Sequence, residues 1–490
     1  MKYLLGIDFG GGASKATLLS ESGVIAAENT VEYPTLHPTG GSAEQNPDDW
    51  IKALIENTNA VLSKSGVAPC DIAAVAVDSA THSFLVTDES GRPLRPAIHW
   101  TDTRSRKEAT ELFKDYGDEI FKKTYHKPDT IWTLPMLLWL KASEPDIFSR
   151  IRRIYFEKDY IREFLTGVFS TDFIEAEGSM LFDCESGVWD EWLLSLAGIK
   201  VDMLASIGKP TDIAGAVTKA AAEATGLREG TPVIMGTTDT AMEVFASGAV
   251  ECGDVTVKLA TAGRICVITD KAYPDRHLVN YSHAVDGLWY PGTATKAAAA
   301  SYRWYRDTFG GDYRELDANA EKIPVGADGL FFHPYLLGEL TPYADPTLKA
   351  SFTGVGAEHT KAHFTRAVLE GVAFSLLECK NYLDSLGIPH KNRATLIGGG
   401  AKGKLWRQIV SDALGIELVT TESSDSSLGS AMLAGVAVGI FKNPKDAVEK
   451  CVKKKDTVYP NPENTEKYSQ LYKTYKDIHD ALKPIYNKNS

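Results

Sequence analysis

Cysteine is scarce: six residues in a chain of 490 (Cys70, Cys184, Cys252, Cys266, Cys379 and Cys451), with no CxxC pair among them. That spacing offers neither a structural zinc set nor a disulfide framework, so the thiols read as buried or incidental. Positive charge is also short. Lys and Arg number 52 against 65 Asp and Glu, a formal net charge of −13. So acidic a surface disfavours nucleic acid and anionic lipid as partners. An anionic nucleotide must then be met by a local device, such as convergent backbone N–H groups. Long apolar runs are missing too. The longest near-apolar stretch, residues 431–441, is too short for a bilayer span and contains glycines. The N-terminus opens on a strand-like run and Asp8, without a basic region, a signal-type segment or a cleavage site. A cytoplasmic protein without membrane contact is expected. Low-complexity sequence is absent, and the lysine-rich residues 449–455 read as a solvated helix face.

What is present is ordinary globular composition, 43% hydrophobic and 24% charged, in a length that suggests two domains. Residues 3–8 form an apolar strand, Gly10-Gly11-Gly12 a turn, and residues 16–19 a returning strand. A helix is expected from Pro47 to about residue 63, with Trp50, Leu54, Ile55, Ala60 and Val61 as its apolar stripe. Residues 72–77 read as a buried strand and 232–235 as another. Residues 255–259 and 265–268 repeat the N-terminal hairpin around Thr261-Ala262-Gly263-Arg264. A helix over 364–385, a strand over 394–397 and a helix over 405–414 follow, and the small residues of 427–438 predict a closely packed helix. Alternating strands and helices indicate an α/β class. The recurrence of one plan places a junction near residue 250, giving domains at 1–248 and 249–490.

Several short stretches can carry chemistry. Residues 6–15 bring Asp8 to a strand end and then offer glycines, whose missing Cβ atoms let backbone N–H groups approach phosphate oxygens. Asp8 can serve Mg²⁺, which takes few carboxylates alongside phosphates and water. Lys15 adds positive charge. The alternative is a plain glycine turn. Residues 398–405 nearly match a P-loop, but Leu405 stands where the metal-binding hydroxyl belongs. A backbone platform for adenosine explains the glycines without that hydroxyl. Asp239 follows a strand and Gly236-Thr237-Thr238, at the kind of strand end where α/β sites form. It can accept the proton of a sugar hydroxyl, or simply cap a helix. Thr81, His82, Trp100, Asp102 and Arg104 offer the donors, acceptors and flat apolar face that a sugar requires. An interior histidine and a core tryptophan are the plain alternatives.

The ordered set of motifs resembles the FGGY family of carbohydrate kinases over nearly the whole chain. The most specific match is Ser351-Phe352-Thr353-Gly354-Val355, seven residues, then residues 363–370, His-Phe-Thr-Arg-Ala-Val-Leu-Glu. Residues 6–10, 93–100, 333–336, 398–401 and 428–431 fit in order. The resemblance implies two actin-like, ribonuclease-H-like ATPase domains flanking a central cleft, and phosphoryl transfer from ATP to a sugar hydroxyl with Mg²⁺. It implies Asp239 as proton acceptor and Asp8 as the metal-associated carboxylate. Gly10, Gly11, Gly12 and Lys15, with Thr261 and Gly263, become phosphate hairpins; Gly399, Gly400 and Ala401 the adenosine platform; Thr81, His82, Trp100 and Asp102 sugar contacts. Gly11, Ala260, Ala262, Met136 and Leu340 depart from the usual pattern. Glu44-Gln45-Asn46-Pro47, residues 341–343 and residues 158–160 resemble the xylulose kinases, whereas Thr81, Thr101 and Thr240 depart from them. The implied acceptor is a keto-pentose, D-xylulose first, with gluconate or another polyol as the alternative; the partners are sugar and ATP, and a homodimer is compatible. A different class, an actin-like ATP-binding protein doing conformational work, would hydrolyse ATP without sugar.

Overall fold

Two sheets built to one plan organise the chain, whose structure, a computed structural model, describes residues 1–488. The first compact unit takes in residues 1–248, 281–287 and 423–453; the second takes in 249–280, 288–422 and the remainder from 454.

In the first unit β1 (Tyr3–Phe9), β2 (Ala13–Ser20) and β3 (Ile25–Glu32) form an antiparallel meander. Against β1 runs a parallel strand, β4 (Ile72–Ser79). The antiparallel edge strand β5 (Ile213–Ala216) pairs with β6 (Pro232–Ile234), which runs parallel to β4. The sheet order is β5-β6-β4-β1-β2-β3. β1 and β4 are apolar almost throughout because helices cover both of their faces. On one face, helix Pro47–Ser65 buries Trp50, Leu54 and Val61 against Leu5, Ile7 and Val75. Its ends follow local chemistry: the Asn46 side chain accepts from Asp48 N, Pro47 occupies the first turn, and Gly66 closes the helix at φ 66°.

The other face is covered by helix Ser426–Ala437, from the far end of the sequence. Its small residues permit an unusually close approach. A Cβ on Gly6 would stand 2.0 Å from Ser427 O and 2.4 Å from Ala431 N. A Cβ on Gly429 would stand 2.3 Å from Met242 O, so this helix also seats helix Asp239–Ala246.

The second unit repeats the pattern. β7 (Val255–Leu259), β8 (Gly263–Val267) and β9 (Gly292–Thr295) form the meander. β10 (Arg393–Ile397) and β11 (Glu417–Thr421) run parallel to β7, and β12 (Lys454–Val458) is the antiparallel edge. The two sheets differ in their edge strand, which precedes its partner in sequence in the first unit and follows it in the second. Helix Lys361–Ser385 anchors the second core with Val368, Val372 and Leu376. The 363–370 motif is explained here. Arg366 Nε donates to Glu370 Oε1 at 2.7 Å and Arg366 Nη2 to Tyr468 OH at 2.9 Å, while Glu370 also accepts from Gly326 N. A buried, satisfied ion pair therefore ties three segments together.

Candidate active site

Three aspartates gather at the C-terminal ends of β1, β4 and β6. The parallel register sets Asp8 beside Asp78, and Ser79 bridges to Thr238. After β6 the chain must turn hard. Gly236 sits at φ 66°, and a Cβ there would stand 2.1 Å from Val77 O, so glycine is required on both counts. Thr238 then caps the helix by accepting from Ala241 N, and Asp239 begins it. Oδ1 of Asp239 accepts from Thr81 Oγ1 at 3.2 Å and from Thr240 N at 2.6 Å. The turn is held from below by buried ions. Lys158 Nζ lies 2.5 Å from Asp159 and 2.8 Å from Asp172, Thr237 Oγ1 donates to Asp172 at 2.8 Å, and Arg162 Nη1 donates to Met235 O at 2.6 Å.

Burial pushes the Asp8 carboxyl up to about 7; the charges of Asp239 and Glu243 add to this, while hydrogen bonds with Asp78 and Ser426 oppose it. Asp78, wholly buried, is raised well above the carboxylate range by burial and then by the Asp8 charge; Ser430 Oγ donates to its Oδ2. The pair therefore favours holding a proton between its members near neutral pH. Among the described residues, no group of three or more His, Cys, Asp or Glu side chains is set to hold a metal ion by itself. A site of few carboxylates, completed by phosphate oxygens and water, is what Mg²⁺ prefers, and Asp8, partly exposed in front of the buried Asp78, fits such a donor set.

Thr81 and His82 follow β4 directly, so the segment that touches Asp239 also presents His82. That histidine is 6% exposed and lies at φ 72°, an uncommon backbone conformation for a residue with a Cβ. Its N–H donates to Glu175 Oε1 at 3.1 Å. Trp100 is 41% exposed, and its N–H donates to Ser83 Oγ at 3.4 Å. Asp102 is placed differently. It is buried, accepts from Ala43 N at 2.9 Å, and pairs with Arg104, which also reaches Glu44 at 2.7 Å and lies 4.1 Å above the Trp139 ring. Its neighbour His99 donates to or accepts from Thr101 Oγ1 at 2.8 Å, and burial pulls its imidazole down to about 4.

The glycine turn between β1 and β2 is closed by Gly10 N donating to Ala13 O, with Tyr33 OH on Gly10 O at 2.7 Å. Gly11 and Gly12 are exposed, and a Cβ on Gly12 would meet nothing within 4 Å. Lys15 Nζ is committed, at 2.6 Å, to both Glu28 and Asp425. In the second unit the turn between β7 and β8 rests on helix Ala299–Phe309. Thr261 O accepts from Ala298 N and Ala300 N, and Thr261 Oγ1 accepts from Arg303 Nη2 at 3.0 Å. Gly263 is buried, and a Cβ on it would stand 3.1 Å from Leu376 Cδ2. Because β7 and β10 are parallel neighbours, the 398–402 turn lies on the same end of the sheet. Gly398 (φ 93°) and Gly400 close over Leu259 too tightly for a Cβ, Gly399 is open, and residues Gly399–Lys402 form one 3₁₀ turn that includes Ala401.

Asp78, Glu175, Glu177 and Tyr281 were not singled out from sequence. Asp78 carries a signal, an aspartate at a predicted strand's end. The others become visible only through contacts between distant segments. Glu177, pushed up to about 8 by burial against two hydrogen bonds from Ser282, is one such case.

Comparison with known proteins agrees with this arrangement. The N-terminal domain profile of the FGGY family of carbohydrate kinases matches residues 3–246 and the C-terminal domain profile residues 259–438. The chain is 31% identical to a xylulose kinase of Bacillus subtilis, over 99% of this chain and 98% of that one. It is also 31% identical to a gluconokinase of the same organism, over 89% and 88%. The crystal structure of xylulose kinase from Rhodospirillum rubrum superposes with a TM-score of 0.93 at 27% identity, over 99% and 100%. Among the described residues no helix is long and apolar enough to cross a membrane. The chain belongs to the FGGY family of carbohydrate kinases and is an ATP-dependent sugar kinase.

Proposed function

We propose that the protein phosphorylates D-xylulose to D-xylulose 5-phosphate, with Asp239 as the proton acceptor. The observation that carries this reading is the placement of Asp239. It is half-buried at a helix start, held by Thr81 and Thr240 rather than by a cation, and next to the loop that presents His82. A sugar hydroxyl there loses its proton to the Asp239 carboxylate as its oxygen attacks the γ-phosphorus. The bond from that phosphorus to the β–γ bridging oxygen breaks, and ADP leaves. Proton acceptance by a placed carboxylate contributes about 10²–10⁴-fold, and the rest comes from positioning and charge neutralisation. In this reading Thr81, His82 and Trp100 meet the sugar, while Asp102 shapes the site through Arg104. Gly10, Gly11 and Gly12 offer backbone N–H groups to phosphate in the first unit, with Lys15 holding the hairpin. Thr261 and Gly263 do so in the second, where Gly399, Gly400 and Ala401 support adenosine. Asp8, backed by the buried Asp78, would hold Mg²⁺, which supplies charge neutralisation of the phosphates when bound.

A neutral acceptor is supported over gluconate by charge. Two of the three arginines in residues 81–104 are already paired: Arg95 with Glu44 and Glu144, and Arg104 with Glu44 and Asp102. A carboxylate substrate would need one of them released. The gluconokinase likeness keeps gluconate as the second reading. A coupled ADP-release assay over D-xylulose, L-xylulose, ribulose, gluconate, erythritol and glycerol tests both. The highest kcat/KM on D-xylulose is expected; a gluconate preference overturns the substrate assignment, and ATP turnover indifferent to any sugar overturns the kinase reading.

A further inference from the structure

Residues 281–287 belong by sequence to the C-terminal half, yet they pack within the first unit. Three side chains fix them there. Ser282 donates to Glu177 through N at 2.8 Å and Oγ at 2.6 Å, and Asp286 meets Lys209 at 2.7 Å. The first residue of the segment, Tyr281, is 4% exposed and lies with its hydroxyl 2.9 Å from His82 Nε2. Its ring also faces the imidazole at 6.1 Å, with 21° between planes.

The rest of the surroundings of His82 point the same way. The Trp132 ring stands edge-on to it at 4.6 Å, and Trp132 is itself stacked on His126 at 4.3 Å. Gly178 is needed here for space. A Cβ on it would stand 2.3 Å from His82 Cε1, although its own φ of −73° suits any residue. An imidazole in an uncommon backbone conformation, walled by tryptophan, tyrosine and glycine, has little room to turn. Strain of this kind persists only where the surroundings over-determine it, and it gathers at functional positions.

We propose that Tyr281 is a positioning residue of the sugar-phosphorylation reaction: its hydroxyl fixes the orientation of the His82 ring, so that His82 meets the sugar already aligned. This rests on the reading of His82 as a sugar contact. The Tyr281 hydroxyl meets Nε2, while Nδ1 is closed in beside Gly178. A ring already held in place requires less ordering when the sugar binds.

The test is steady-state ADP release with the sugar varied, on wild type, Tyr281→Phe, His82→Asn and the double variant, using the best wild-type sugar. Tyr281→Phe keeps the ring and removes only the hydroxyl. It should raise the sugar KM and lower kcat/KM for sugar about tenfold, the effect of one lost hydrogen bond, with the KM for ATP unchanged. In the double variant the Tyr281 change should cost nothing beyond His82→Asn, because the two act as one unit. Additive losses, or a Tyr281→Phe enzyme within twofold of wild type, overturn the proposal. If His82→Asn itself leaves sugar kinetics intact, the sugar-contact reading fails instead. Should Tyr281→Phe not fold, Ser282→Ala carries the test. It loosens the segment while keeping both rings, and a sugar KM equal to wild type overturns the proposal.

Discussion

Replacing Gly6 by Ala offers a test of how closely the fold and the site are joined. The new methyl would stand 2.0 Å from Ser427 O and 2.4 Å from Ala431 N, both backbone atoms of helix Ser426–Ala437. Real Cβ contacts essentially never fall below 3.0 Å, so helix and strand must separate by about 1 Å. Overpacking of this kind costs about 1–3 kcal/mol, and rigid backbone on both sides argues for the upper end. The same movement strains the Ser430–Asp78 hydrogen bond, worth about 1 kcal/mol more. The expected destabilisation is about 3–4 kcal/mol, read as a lowered urea midpoint. Gly12→Ala is the internal control, since nothing lies within 4 Å of its Cβ. It should leave stability within about 0.5 kcal/mol of wild type or slightly raise it, while raising the KM for ATP if phosphate needs that space. Equal midpoints for Gly6→Ala and wild type would refute the packing argument. A Gly12→Ala enzyme with normal ATP kinetics would refute the phosphate role of the hairpin.

Asp239→Asn should retain sugar and nucleotide binding by calorimetry but lose about 10²–10⁴-fold in kcat; near-normal turnover would remove Asp239 as the base. Arg366→Ala should destabilise by about 3–5 kcal/mol, because Glu370 is left buried without its partner; whatever protein folds should keep near-normal KM values, and large KM changes would give the 363–370 motif a direct role in binding. His333 is buried, within 3.0 Å of Tyr475 O and stacked on Tyr475 at 4.1 Å, and burial lowers its imidazole from 6.5 to about 4. A depressed histidine contributes stability that is full above pH 6.5 and is lost as pH falls through 4, here about 3 kcal/mol. His333→Phe should flatten the dependence of the urea midpoint between pH 7 and 4; an unchanged slope would show that His333 does not carry it.

Much of the architecture was legible because its signals are local. Short apolar runs became β1, β4 and β7, and the apolar stripe at Trp50, Leu54 and Val61 lies where helical spacing put it. The small residues of 427–438 forecast a helix in tight contact, and the near-zero space at Gly6 is that contact. Asp8 and Asp239 were visible as carboxylates at strand ends. Asp78 also ends a predicted strand, but its pairing with Asp8 depends on the register of β1 against β4. Lys15 looked like a cation free for phosphate. It is instead held by Asp425, 410 residues away, and such pairing has no trace in local sequence. Asp102 looked like a sugar ligand, yet Arg104 and Ala43 N use its oxygens. Polar residues at correct motif positions can thus act at one remove, and spacing alone does not separate the two cases.

Helix Ser426–Ala437 lies on the first sheet but is translated long after it. A nascent chain that has emerged only to residue 248 still has one side of β1 bare, with Gly6 facing nothing and Asp78 lacking Ser430. The amino-terminal half must therefore wait for almost the entire message to be read before its core can close. Cutting the gene between the halves would yield an open sheet rather than an independent module.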